Sequence, residues 1–73
     1  MEDEIVQKIK ERLREELKNT NLSTYEIARR VGVSPEMITQ YTTTKKFPKL
    51  DTFARLCKAL DLSANYILGI TDF

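Results

Sequence analysis

Histidine and tryptophan are absent from the 73 residues, and cysteine occurs once, at position 57. A single cysteine cannot build a disulfide framework. With no histidine there is also neither a Cys/His zinc site of the usual kind nor imidazole acid–base chemistry. Uninterrupted apolar runs stop at two or three residues, far short of the roughly 20 that a bilayer-spanning helix needs. The opening MEDEIVQKIKERL is acidic and amphipathic, unlike the basic start and apolar stretch of a secretory signal, so a cytoplasmic location is expected. The chain is about half the usual span of a globular domain, which leaves room for one domain over 1–73 with a small core and excludes a large multi-substrate enzyme. No carboxylate pair, nucleophile or metal cluster has a recognisable arrangement, so neither catalysis, a metal nor a cofactor is expected.

What is present suits a folded helical domain: 32% charged and 41% hydrophobic residues, with a formal net charge of +1. Divided along the chain, residues 1–19 carry five basic and six acidic groups, and residues 20–73 carry seven and five. The local grouping matters more than this balance. Lys45, Lys46 and Lys49 cluster, with Arg29 and Arg30 upstream, and association with nucleic acid depends on such local basic patches. Arg29 and Arg30 read as surface residues or intramolecular partners. Cys57, on an apolar helix face, reads as a buried structural thiol and not a nucleophile.

Hydrophobic spacing divides the chain into five short helices. Val6, Ile9, Leu13 and Leu17, with Ile5 beside them, predict a first helix over about 3–18 with one apolar stripe. Ser23 stands three residues before Glu26, the spacing of a capping box in which the hydroxyl accepts the Glu26 amide and the carboxylate returns to the Ser23 amide. Ile27, Ala28 and Val31 give the helix that starts there an apolar face. In Gly32-Val33-Ser34-Pro35, the glycine suits the left-handed residue ending one helix and Val33 plugs the corner, while the serine caps the next helix and the proline occupies its first position. Two helices must meet there at a sharp turn. In the third, Ile38 and Tyr41 face inward, so Glu36, Met37, Thr39, Gln40 and Thr43 face mostly away. A loop over 45–49 is bounded by Pro48. Leu50, Phe53, Leu56, Cys57 and Leu60 then give a fourth helix one apolar face, and Ser63 caps a fifth that ends at Gly69.

The succession LSTYEIARRVGVSPEMITQY over 22–41, followed by Pro48, LDTFARLCKALDLS and NYILGITD, resembles the Xre/Cro/repressor family of helix-turn-helix DNA-binding proteins. The resemblance covers residues 9–70. It implies an all-α, compact five-helix bundle of the lambda-repressor-like kind, with its helix-turn-helix over about 24–43. It also implies a transcriptional regulator of double-stranded DNA, with a repressor expected, whose helix at about 35–43 enters the major groove. On that helix Gln40 would read adenine N7 and N6, Glu36 would accept from cytosine N4, and Thr39 would reach a thymine or a phosphate. Met37 would add apolar contact and Ser34 stands among the expected DNA contacts. Thr24 sits where the family commonly has a glutamine contacting phosphate at the start of its second helix. Thr43, Thr44, Lys45 and Lys46 match the loop that clamps the backbone on the other side. The chain departs from the family at 42–44, where three threonines replace a segment that commonly carries a left-handed glycine, so the loop is expected to take another path.

One such module reads only a few base pairs, so a palindromic operator and a homodimer are expected. Tyr66, Ile67, Ile70 and Phe73 are the candidate dimer surface; the same residues would otherwise close the monomer core. The alternative function is a protein-interaction module, such as an antitoxin or an anti-repressor partner, with DNA binding secondary.

Overall fold

The computed structural model describes residues 3–72. All five expected helices are present among them: α1 (Glu4–Asn19), α2 (Thr24–Val31), α3 (Pro35–Thr43), α4 (Leu50–Leu60) and α5 (Ala64–Ile67). Asp3 starts α1 by accepting the Ile5 amide at 2.9 Å, and extended backbone at Thr20 ends it. Leu13 and Leu17 are buried and Ile9 packs on the core, but Ile5 and Val6 are exposed. The first turn of the stripe therefore overshoots the body it was expected to cover.

The core gathers Leu13 and Leu17 of α1, Ile27, Ala28 and Val31 of α2, Ile38 and Tyr41 of α3, Phe53 and Leu56 of α4, and Ile67 of α5. α3 packs on α1 and α2, α4 on α2, and α5 on α1. Leu50 departs from the expected α4 face. It is 83% exposed, because it is the first residue of the helix and Thr52 and Phe53 take the inward positions one turn on. Burial of the bulky core side chains contributes on the order of 1.5–3 kcal/mol each relative to exposure, so helices as short as these stand by packing and not by propensity.

Two helices end on the same device. The amides of Gly32 and Val33 both donate to the Ala28 carbonyl, at 2.8 and 3.1 Å, with Gly32 at φ 85°. At the end of α4 the amides of Asp61 and Leu62 both donate to Cys57, with Asp61 at φ 55°. The first case uses a glycine and the second an aspartate, a residue with some tolerance for the left-handed region.

Two cations of α1 hold the far parts of the chain. Lys10 is only 8% exposed; its ammonium donates to the carbonyls of Tyr41 and Lys46, both at 2.5 Å, and lies 4.9 Å from the centre of the Phe47 ring. Burial, and then the charge of Arg14, hold its pKa below the usual lysine value. Arg12 donates to the carbonyls of Tyr66 and Thr71 and stacks over the Tyr66 ring at 4.2 Å. Neither contact is visible in the apolar periodicity of α1, since a long stem buries while its head finds carbonyls.

Candidate nucleic-acid interface

The corner between α2 and α3 follows from four consecutive residues. Gly32 ends α2 and half-buried Val33 packs on the core. Ser34 then accepts the Met37 amide at 3.3 Å, and Pro35 opens α3 where an amide proton would have no helical partner. At the other end of α2, the Ser23 hydroxyl accepts the Glu26 amide at 3.1 Å. The return half of the expected capping box is replaced. Both oxygens of Glu26 are taken by Arg29 at 2.7 Å, with Arg30 at 3.8 Å. The hydrogen bond from Arg29 holds the Glu26 carboxyl below its ordinary pKa and raises that of the guanidinium. Arg29 and Arg30 are thus intramolecular partners on the surface, as expected.

With Ile38 and Tyr41 buried, the opposite side of α3 carries exposed Glu36 and Thr39 and half-buried Gln40. Among the described residues, no hydrogen bond engages the Gln40 side-chain amide, so both its donor and its acceptor are open to an incoming group. Thr39 donates its hydroxyl to the Pro35 carbonyl at 3.2 Å, which leaves the methyl for outward contact. Met37 is half-buried: part of its side chain packs on the core, while its sulfur lies 3.7 Å from the Lys46 ammonium on the exposed side. Its long flexible side chain folds back over the gap between α3 and the loop.

The end of α3 follows the expected other path. No residue of 42–47 has positive φ, and Thr44 is extended at φ −126°, ψ −178°. Thr42 and Thr43 donate to the Thr39 carbonyl at 2.9 and 2.8 Å, and Thr44 donates to the Gln40 carbonyl at 2.6 Å while accepting the Lys46 amide. The hydroxyl protons of Thr43 and Thr44 are therefore committed to α3 itself. A phosphate needs donors, so these two side chains reach one only by giving up their helix carbonyls. Thr24, Ser34, Lys45 and Lys46 are exposed around this face. Lys45 also lines a groove of about 430 Å³ between α1 and the loop, together with Lys10, Glu11 and Arg14.

Sequence reasoning missed Tyr25, a 75% exposed aromatic in the first turn of α2 beside Thr24. Its exposure follows from its place two residues before Ile27, roughly on the other side of α2 from that buried side chain. At the expected dimer surface, Ile67 is a correction: it is 0% exposed, because α5 turns it into the core against α1, and it has no surface to offer a partner. Tyr66 is half-buried under Arg12, Ile70 is 69% exposed, and Phe73 lies outside the described residues. Close to α5 is an apolar groove of about 270 Å³ lined by Val6, Ile9, Leu13, Phe47, Pro48, Leu50, Phe53 and Leu68. The Cys57 thiol is half-buried, and burial pushes its pKa up. Among the described residues no group of His, Cys, Asp and Glu could hold a metal, and no helix is long and apolar enough to cross a membrane.

A family profile described as a helix-turn-helix domain matches residues 10–70. An uncharacterized HTH-type transcriptional regulator of Bacillus subtilis (strain 168), YobD, is 34% identical over 62 residues, which cover 85% of this chain and 55% of that protein. The chain thus spans about half the length of this curated relative. No solved structure matches. A sharp Gly-Val-Ser-Pro corner joining two short helices, the matched profile and the similarity to YobD agree: the chain belongs to the Xre-like helix-turn-helix family.

Proposed function

We propose that the chain binds double-stranded DNA sequence-specifically as a transcriptional regulator, acting as a repressor in the cytoplasm, with α3 laid in the major groove. The observation that carries this reading is the outward row of α3, where the unengaged Gln40 amide stands one turn on from exposed Glu36 and next to exposed Thr39. A bidentate glutamine–adenine contact contributes about 1–3 kcal/mol of discrimination, and Glu36 can accept from cytosine N4. Thr24 and the backbone amides at the start of α2 face one phosphate strand; Tyr25 beside them adds a hydroxyl donor. Lys45 and Lys46 meet the other strand.

A homodimer on a palindromic operator completes the reading. Ile70 remains the candidate contact from the expected dimer surface, and exposed Leu50 with the groove beside Leu68 extends it. Selection of bound sequences from random duplex DNA tests the whole proposal. The expected result is an enriched palindrome with half-sites about 10 base pairs apart, one helical turn, or a multiple of that. Recovery of unenriched DNA at every round would contradict it.

The apolar groove and the absence of any basic side chain on α3 itself favour a second reading, a protein-interaction module such as an antitoxin or an anti-repressor partner. Under that reading, substitution of Leu50 by a charged residue abolishes partner binding and Gln40→Ala does nothing.

A further inference from the structure

We propose that Lys10 is a positioning residue for DNA binding: its buried ammonium, clasped by the carbonyls of Tyr41 and Lys46, fixes the loop over 44–47 against the end of α3 and so keeps Lys45 and Lys46 on the phosphate side. This inference rests on the reading of α3 as the DNA-facing helix. Three features of the structure converge on it.

Lys10 lies on α1, yet both its hydrogen-bond acceptors lie 31 and 36 residues away, one in the last turn of α3 and one in the loop that follows. An ammonium has three donors and is costly to bury unless they are satisfied. Two carbonyls and the face of the Phe47 ring occupy its surroundings. The second feature is the helix end. The Tyr41 carbonyl is one of the last four of α3, which have no amide partner within the helix, and a cation there complements the negative end of the dipole. The third is the absence of a left-handed cap at that end. Gly32 closes α2 through its own left-handed backbone, but α3 passes into extended backbone at Thr44, where the Thr44 amide donates to the Gln40 carbonyl and its hydroxyl accepts the Lys46 amide, so short-range bonds turn the loop without a left-handed residue and leave the Tyr41 carbonyl to Lys10. Lys10 supplies the Tyr41 carbonyl with a donor from α1, as Gly32 supplies the Ala28 carbonyl with one from the next residues of its own chain segment. Because it grips the main chain of Lys46, a residue whose side chain is assigned to phosphate, the anchor and the contact lie on the same residue.

Lys10→Met keeps the aliphatic stem and removes the donors, whereas Lys10→Arg keeps charge and donors. Binding to a selected duplex and to a random duplex is measured across a salt series, beside circular dichroism and thermal melting. Removing the donors leaves the Tyr41 and Lys46 carbonyls without this partner, so Lys10→Met is expected to melt somewhat below wild type while staying folded at the temperature of the binding assay. It is nevertheless expected to bind the selected duplex about tenfold more weakly, with the slope of log affinity against log salt lowered by about one unit as a phosphate contact is lost. Lys10→Arg is expected to restore part of both. Lys10→Met with affinity within about twofold of wild type and an unchanged salt slope would overturn the proposal. So would a loss that tracks melting temperature alone.

Amide hydrogen exchange without DNA gives a second readout, made on Lys10→Gln should Lys10→Met fail to fold. Amides of 45–47 are expected to exchange faster while that of Val33 stays unchanged, and equal loosening at both places would reject the anchor. A wild-type chain that binds no duplex would refute the DNA reading itself, and the exchange result would still decide whether Lys10 holds the loop.

Discussion

The two ends of α3 are built by opposite means. At its start, Gly32, Ser34 and Pro35 each act on residues no more than four positions away: a left-handed turn, a hydroxyl cap at 3.3 Å and a residue without an amide proton. At its end, the threonine hydroxyls return to the helix and a cation from α1, 31 residues earlier in the chain, takes the Tyr41 carbonyl. The first end orients α3 against α2 and thereby aims Gln40. The second determines where the loop lysines stand. On the proposed reading, the contrast is between a helix start set by local chemistry and a flanking loop whose position depends on tertiary structure.

The largest effect on stability is expected at Ile38, which serves both ends from the middle of α3. It is 2% exposed, and Ile38→Ala should cost about 3 kcal/mol in denaturant unfolding by losing burial and leaving a cavity. A loss under about 1 kcal/mol would mean that α3 is held from its ends instead. Gly32→Ala comes next, at about 1 kcal/mol. A Cβ there meets nothing within 4 Å, so the cost is that of the positive φ alone, and a crystal structure of the variant should show the same corner. Asp61→Gly supplies the converse case. Since Asp61 holds φ 55° in the same hydrogen-bonded arrangement, the substitution should raise stability by about 0.5 kcal/mol, read as a higher melting temperature. Thr43→Val should have the smallest effect, below about 0.5 kcal/mol, because an exposed carbonyl released by the hydroxyl is taken up by water. A cost above about 1 kcal/mol would show that the end of α3 depends on its own hydroxyls rather than on Lys10.

These differences also account for what the sequence disclosed. The core positions Leu13, Leu17, Ile27, Val31, Ile38, Tyr41, Phe53 and Leu56 were legible because each sits at helical spacing on a face that does become buried. The α2–α3 corner was legible because its determinants are adjacent in the chain. Ile5, Val6 and Leu50 carry the same apolar signal yet lie outside, since periodicity records which side of a helix is apolar and not where the neighbouring helix ends. Ile67 was ambiguous for a related reason: an α5 of four residues is too short to define a face. The departure of the 42–44 segment from a glycine-capped end was legible as an absence. Its replacement was not, because a lysine between Ile9 and Leu13 looks like solvated surface until the carbonyls of Tyr41 and Lys46 are placed beside it. Of the candidate site, the outward row Glu36, Thr39 and Gln40 follows from the inward pair Ile38 and Tyr41, whereas the contact of Met37 with Lys46 and the committed hydroxyls of Thr43 and Thr44 required coordinates.

The central claim is that the outward face of α3 reads bases, and Gln40→Ala tests it most directly when sequence selection is repeated with the variant beside wild type. Gln40 makes no side-chain hydrogen bond among the described residues, so folding and melting temperature should be unaffected. The expected result is a loss of about 1–3 kcal/mol on the wild-type preferred duplex, relaxed selection at a single base-pair position in each half-site and unchanged affinity for random DNA. An equal loss on every duplex, or an unaltered selected sequence, would contradict it.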